Sequence, residues 1–213
     1  MVINKQRHAS TPDSPASPPP SLARRRANTT ANTPCELFFD QLRDIYSMEV
    51  QLHDSMIDLV SLCSNDNLRD LIVCHSLQNH TQIAEISAIF ERHGESPGNV
   101  ECKAMAGLIE GGTAHLEAVR SPQTRDLMMV AHCIRIEYYE IAAYEFTTLL
   151  CARLGLLREP VILSGLLAEE KEMAATLMRL EPELFKAAST YPGNRDFDTT
   201  RPSQSSQSGF TPW

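Results

Sequence analysis

Apolar residues recur every three or four positions over four long stretches of the chain, which is the period of an amphipathic α-helix. The pattern predicts four long helices: Pro34 to about Cys63, Asn67 to His93, Pro122 to Arg153, and Glu159 to either Leu180 or, through Pro182, Ala188. A shorter helical segment over about residues 100–119 contains Gly111-Gly112, which we expect to kink or split it. No segment shows the pattern of a strand.

Local signals at the helix ends support these bounds. Thr33-Pro34-Cys35-Glu36 has the spacing of a capping box with proline at the first helical position, and Ser121-Pro122 repeats the cap and the proline. Gly94 and Gly155 stand where the second and third long helices should stop. The sequence therefore predicts an all-α four-helix bundle with a short extra helix in the crossover between long helices 2 and 3.

Carboxylates interrupt three of the four apolar stripes near their middle. They are Glu49 in the first long helix, Glu137 and Glu140 in the third, and Glu170 in the last, and the second long helix offers His80 at a comparable depth. Burying a carboxylate costs several kcal/mol unless it is paired, protonated or bound to a metal. Their convergence indicates a metal site with these five residues as candidate ligands.

A complete dinuclear site in a bundle takes one Glu from each of two helices and Glu-x-x-His from each of the other two. This chain meets the pattern in part, because the second long helix reads Leu77-Gln78-Asn79-His80 and the last reads Glu170-Lys171-Glu172-Met173. An alternative interpretation places each glutamate at the rim of the bundle. Its carboxylate would then lie in water or pair with Arg135, Arg153 or Lys171.

Charge and composition divide the 213 residues into three parts. Residues 1–34 are rich in Pro, Ser and Thr, carry a net charge of +4 and predict a disordered arm, and residues 190–213 predict a second disordered tail. The whole chain has a net charge of −8 and the tail is neutral, so the predicted bundle, residues 35–189, has a net charge of −12. Such an acidic body excludes a nucleic-acid-binding core. The basic arm is a candidate contact for an anionic partner.

The six cysteines form no Cys-x-x-Cys pair, and most lie among apolar residues of the predicted helices. This pattern indicates reduced thiols and a cytoplasmic protein. No apolar run reaches the roughly 18–20 residues of a membrane span, and no signal peptide is recognisable.

Several segments resemble the YciE/YciF-type ferritin-like proteins of bacteria. They are LFFDQLRDIYSMEVQL, CKAMAGLIEG, IEYYEIAAYEFTTLLCARLG and LLAEEKEMAATL, in order and at compatible spacing over about residues 36–180. The resemblance implies a ferritin-like four-helix bundle, a homodimer, a link to stress responses and a dinuclear metal centre. It also implies that Glu49, Glu137, Glu140 and Glu170 match family carboxylates.

The chain departs from the family pattern at three places. His75-Ser76-Leu77-Gln78-Asn79 stands where the family usually reads H-L-E-E-T, Tyr138 replaces the histidine of E-H-Y-E, and Ala174 replaces an aspartate after E-E-K. We therefore expect a partly depleted ligand set.

Two hypotheses about function remain open. In the first, the chain is a stress-related protein that binds a dinuclear iron or manganese centre through its core carboxylates. In the second, it is a metal-free homodimer without a cofactor, acting as a structural or interaction module. An oxidoreductase activity would need open coordination positions and a path for the oxidant, and because the sequence shows neither, it assigns no catalytic residue and favours a protein that is not an enzyme.

Overall fold

The computed structural model describes residues 31–190, which form five α-helices and contain no strand. The helices are α1 (Pro34–Leu62), α2 (Asp66–Arg92), α3 (Lys103–Ala118), α4 (Pro122–Arg153) and α5 (Glu159–Ser189). The four long helices match the predicted ones closely, with the longer of the two alternatives for α5. The predicted arm and tail lie outside the described residues, except for their inner ends at residues 31–34 and 190.

The four long helices pack in a closed ring. Helix α1 contacts α2 and α4, and α5 contacts α2 and α4, so two helical hairpins face each other. The crossover between α2 and α4 carries α3, which packs on α1 and α4. The predicted all-α four-helix bundle with a short extra helix is confirmed. No helix between residues 31 and 190 combines the length and apolar character needed to cross a membrane.

The core is built from the predicted apolar stripes. On α1 every member of the stripe is buried: Phe38, Leu42, Ile45, Glu49, Leu52, Met56 and Leu59, followed by Cys63 just after the helix. Each large apolar side chain contributes about 1.5–3 kcal/mol when it leaves water. Because Glu49 occupies one position of this stripe, packing of its apolar neighbours carries its carboxylate into the core.

The helix ends follow the local signals. The Thr33 hydroxyl accepts a hydrogen bond from the Glu36 amide, and the Glu36 carboxylate accepts one from the Thr33 amide, so the predicted capping box is present. Gly94 and Gly155 adopt φ angles of 64° and 77°, which residues with a side chain rarely take. They end α2 and α4 at the expected places.

Helix α3 is continuous, so the split that Gly111-Gly112 could have caused is absent. Gly112 is buried against α4, where a Cβ atom would lie only 1.9 Å from Cε1 of His132. The close approach of two helices therefore requires a glycine at this position.

Helix α5 passes through Pro182, although proline removes one backbone donor from a helix. The residues beyond it contribute to the bundle. Leu184 is buried in the core, and the Glu183 carboxylate accepts hydrogen bonds from Asn65 and Asn67 on the α1–α2 side. These contacts stabilise the extension to Ser189.

Candidate metal centre

Four carboxylates lie fully inside the bundle. Their relative exposures are 0% for Glu49, 1% for Glu137, 0% for Glu140 and 0% for Glu170. Among the described residues no lysine or arginine forms an ion pair with any of them, and the Lys171 ammonium instead pairs with Glu145 at 2.6 Å on the surface. The alternative that placed them at the rim, in water or beside basic side chains, is therefore wrong.

His75 of α2 lies among three of these carboxylates. Its Nε2 is 3.5 Å from Oε1 of Glu137, and burial lowers its pKa to about 4, so the imidazole is neutral near pH 7. One ligand atom from each of four residues lies within 4.8 Å of all the others: His75, Glu137, Glu140 and Glu170. We call these four residues the ligand cluster.

His80, the histidine that the sequence pattern suggested as a ligand, is exposed. It is five positions after His75, which places the two roughly 140° apart around α2. Its ring lies beside that of His53, with the ring centroids 5.8 Å apart. His80 had the right depth along the helix but the wrong face, and the structure brings His75 to the carboxylates instead.

Glu49 is held differently from the other carboxylates. Its Oε2 accepts a hydrogen bond of 2.6 Å from Nδ2 of Asn79, and its Oε1 accepts one of 2.5 Å from the Tyr144 hydroxyl. Burial raises the pKa of Glu49 to about 7, while these two donors lower it. Burial and the nearby carboxylates raise the pKa of Tyr144 well above its usual range, so it remains a donor. We call Glu49, Asn79 and Tyr144 the Glu49 network.

The second-helix amides were missed by the sequence analysis as functional groups. Asn79 and Gln82 are three residues apart on the buried face of α2, where Glu-x-x-His was sought. Nε2 of Gln82 donates to Glu170 at 2.5 Å and to Glu169 at 2.9 Å. The buried positions of α2, Ile72, His75, Asn79, Gln82 and Ile86, follow a helical period that could have indicated both amides and His75.

The remaining carboxyls resist ionisation. Burial raises the pKa of Glu137 to about 8, a hydrogen bond with Glu170 lowers it, and the charge of Glu49 raises it. Burial, reinforced by neighbouring carboxylates, raises the pKa of Glu140 and Glu170 well above the usual range.

The ligand cluster fits a cation. With its carboxyls ionised, five of its buried atoms have no hydrogen-bond partner in residues 31–190: His75 Nε2, Glu137 Oε2, both carboxylate oxygens of Glu140, and Glu170 Oε2. Buried polar atoms are normally paired, so such a concentration requires an explanation. All five are lone-pair donors, and a metal ion would accept them without any further change in sequence.

One of the three departures from the family pattern, Tyr138, lies away from this centre. Tyr138 is 62% exposed, and it lines with Ala174 an open groove of about 460 Å³ between α4 and α5. Tyr138 therefore does not deplete the ligand cluster, whereas Ala174 is buried on α5 one helical turn after Glu170. The third departure, on α2, does change the centre, because Asn79 lies within it.

Residues 33–190 match the protein family described as "Domain of unknown function (DUF892)". The chain belongs to this family. Protein YciF of Escherichia coli strain K12 is 31% identical to it over 137 residues, which cover 64% of this chain and 82% of YciF. The resemblance of this DUF892 chain to YciE/YciF-type proteins is thereby confirmed.

Solved structures agree with the DUF892 assignment. The structure of the E. coli stress protein YciF has a TM-score of 0.70 at 29% identity and covers 73% of this chain and 98% of its own. YcfI of Rhodopseudomonas palustris has a TM-score of 0.67 at 27% identity, with coverages of 69% and 94%. A ferritin-like, diiron-carboxylate protein from Bacillus anthracis strain Ames has a TM-score of 0.55 at 14% identity, with coverages of 70% and 99%, which shows that the shared fold is ferritin-like.

Proposed function

We propose that this DUF892 chain binds one divalent transition-metal ion, iron or manganese, in the ligand cluster. We further propose that it acts under stress, as the description of its E. coli relative as a stress protein suggests. The observation that carries the metal proposal is the group of four buried ligand residues whose atoms lie within 4.8 Å of one another and are largely without hydrogen-bond partners.

The spacing favours a single ion. Two ligand atoms on opposite sides of one ion are about 4 Å apart, because each metal–ligand bond is about 2.0–2.2 Å long. The cluster, at 4.8 Å or less, needs only small side-chain movements to reach that spacing. A second ion would have to use Glu49, whose two oxygens already accept hydrogen bonds from Asn79 and Tyr144. The dinuclear centre therefore remains a prediction that the geometry favours less.

The ligand types favour iron or manganese. Carboxylates suit manganese and other hard cations, whereas imidazole suits iron and zinc, so one imidazole with three carboxylates is a mixed set that both Fe²⁺ and Mn²⁺ accept. The neutral His75 offers a lone pair, and Gln82 fixes the orientation of Glu170. When bound, such an ion supplies one-electron chemistry toward peroxide or oxygen. We propose only that the chain binds the metal ion, and we assign no residue a catalytic role.

A metal-free bundle is the second candidate, and one observation favours it. Burial raises the pKa values of Glu137, Glu140 and Glu170 above the usual carboxyl range, and donors already reach Glu49 and one oxygen of Glu170. Protonated carboxyls would let the bundle fold without an ion. The homodimer expected from the resemblance and the cytoplasmic location expected from the unpaired cysteines are proposals that go with either candidate.

Reconstitution separates the two candidates. The purified full chain is incubated without oxygen with Fe²⁺ or Mn²⁺, desalted, and analysed for Fe, Mn and Zn beside Glu137→Gln and Glu172→Gln. Glu172 is the matched control, since it is an exposed carboxylate of α5 that pairs with Arg179. We expect about one ion per chain in the native and control proteins and far less in Glu137→Gln. A native protein that holds well under one ion per chain would refute metal binding and leave the metal-free bundle.

A further inference from the structure

His53 and His80 meet across the α1–α2 interface, outside the ligand cluster. Their ring centroids are 5.8 Å apart and the ring planes are inclined by 42°. His53 lies one helical turn after Glu49 on α1, and His80 directly follows Asn79 on α2. Neither ring takes part in the hydrogen bonds of the Glu49 network or of the ligand cluster.

A neutral imidazole carries one nitrogen lone pair that can bind a cation. Nδ1 of His53 is buried and has no hydrogen-bond partner among the described residues, although the ring as a whole is partly exposed. His80 is exposed on α2, so its ring can rotate about its side-chain torsions without displacing core residues. An unpaired buried nitrogen beside a second, rotatable imidazole is an arrangement that a shared cation completes.

The spacing of the rings agrees with chelation of one ion. Zinc–nitrogen bonds of 2.0–2.1 Å at tetrahedral angles place the centroids of two bound imidazoles about 5 Å apart. The observed separation of 5.8 Å needs a closure of roughly 1 Å. The exposed His80 side chain can supply this movement by a change of rotamer.

We propose that His53 and His80 form a second, outer cation site that binds imidazole-preferring divalent ions such as Cu²⁺, Ni²⁺ and Zn²⁺. The site is nitrogen-rich, whereas the ligand cluster is dominated by carboxylate oxygens, so the two select different metals. Because only two protein ligands hold the ion, water or a further donor completes its coordination. The outer site does not depend on the ligand cluster.

Calorimetric titration of the full chain with Zn²⁺, Ni²⁺ and Cu²⁺ tests the site in a Glu137→Gln/Glu170→Gln background, which disables the inner cluster. His53→Ala and His80→Ala should each weaken binding by at least about tenfold, given that even outer partners of metal ligands contribute 10–100-fold. His115→Ala, which removes another exposed histidine, should leave the affinity unchanged. Cu²⁺ should bind more tightly than Ni²⁺ or Zn²⁺.

The double variant His53→Ala/His80→Ala distinguishes a shared ion from two separate surface histidines. If both rings hold one ion, the double variant loses little more affinity than either single variant, because one remaining ring cannot chelate. Losses that simply add would overturn the proposal, and so would an unchanged affinity in either single variant. If the Glu137→Gln/Glu170→Gln background no longer binds iron or manganese but still binds Zn²⁺, the result supports the outer site. If that background still binds iron or manganese, the proposed function fails while the outer site is unaffected.

Discussion

The ligand cluster and the Glu49 network contain the same residue type at the same depth but hold it in different ways. Glu49 receives one hydrogen bond from a neutral amide and one from a phenol. Glu140, three residues from Glu137 on α4, receives none from any described residue, and both of its oxygens are buried. The contrast shows that burial of a carboxylate does not by itself define a metal ligand, because the supply of nearby donors decides what the carboxylate needs.

Each way of holding a buried carboxylate has its own consequence. Hydrogen bonds to the ionised form offset part of the desolvation of Glu49 and limit the rise in its pKa to about 7. Without such donors Glu140 must bind a proton or a cation, and its pKa rises further. The ligand cluster is therefore the part of the core that an ion can stabilise most.

The largest expected effect is stabilisation by manganese. At 100 times its dissociation constant, an ion that binds only the folded chain adds about 2.7 kcal/mol to the free energy of unfolding. For a domain of this size that corresponds to roughly 5–11 °C in Tm. His75→Ala should abolish the shift and His80→Ala should keep it, as measured by thermal unfolding with and without Mn²⁺. If the Tm shift persists in His75→Ala, His75 is not a ligand of the ion.

The next largest expected effect is the loss of stability when the Glu49 network is broken. Tyr144→Phe removes the hydroxyl that donates to Oε1 of Glu49 and leaves that buried oxygen unpaired. The free energy of unfolding of the metal-free protein should fall by about 1–3 kcal/mol in urea denaturation. Tyr138→Phe is the control, because Tyr138 is exposed and its change should stay within about 0.5 kcal/mol. Equal effects of the two substitutions would contradict the network.

A smaller effect concerns pH. The folded-state pKa values of Glu49 and Glu137 are raised to about 7 and about 8, so the folded chain retains protons that the unfolded chain, with values near 4.5, has released. The stability they contribute is complete below the unfolded value and is lost as pH rises through the folded values. His75, with its pKa lowered to about 4, changes stability only below its ordinary value of 6.5.

The carboxyls therefore determine the slope between pH 6.5 and 8. Metal-free protein should become less stable over this window, by at most about 1.4 kcal/mol per pH unit for each titrating carboxyl. Manganese should bind more tightly over the same window, because its ligands must be deprotonated. Denaturation at fixed pH values, with and without metal, measures both trends. If the free energy of unfolding of the metal-free protein rises from pH 6.5 to 8, the raised pKa values of the carboxyls are contradicted.

The smallest effect lies on the surface. Glu145 and Lys171 pair at 2.6 Å, but their side chains are 53% and 49% exposed. An exposed pair contributes about 0–1 kcal/mol, so Lys171→Ala should change the free energy of unfolding by no more than about 1 kcal/mol. Urea denaturation of Lys171→Ala and Tyr144→Phe under the same conditions compares the loss of a partner from an exposed and from a buried carboxylate. If Lys171→Ala lowers the free energy of unfolding as much as Tyr144→Phe does, the exposure of a carboxylate does not determine how much its partner stabilises the fold.

Helical period alone predicted most of the fold. The stripe of α1 and the capping box at Thr33 are local features, so the sequence contains all the information they need. Gly112 shows where local reasoning ends. Its intrinsic helix propensity predicts a break, whereas the requirement that it meets is the ring of His132, twenty residues away on another helix.

The candidate site was predictable as far as the depth and the phase of a residue along its own helix define it. Glu49, Glu137, Glu140 and Glu170 lie in apolar stripes and are buried as those stripes predict. His75 and His80 are both near the middle of α2, but only His75 is in phase with the buried Ile72 and Ile86, so the phase of the buried positions distinguishes them. Asn79 and Gln82 acquire their importance from partners on other helices, which no local pattern contains.

The most direct test is the metal content of two isosteric variants after the same reconstitution. Glu140→Gln changes a ligand-cluster residue without hydrogen-bond partners, and Glu49→Gln changes a carboxylate whose oxygens are already bonded. Both substitutions replace an ionisable carboxyl group with a neutral amide of almost the same volume. We predict about one ion per chain in the native protein and in Glu49→Gln, and far less in Glu140→Gln. Two ions in the native protein with a loss in Glu49→Gln, or an unchanged content in Glu140→Gln, would contradict this account.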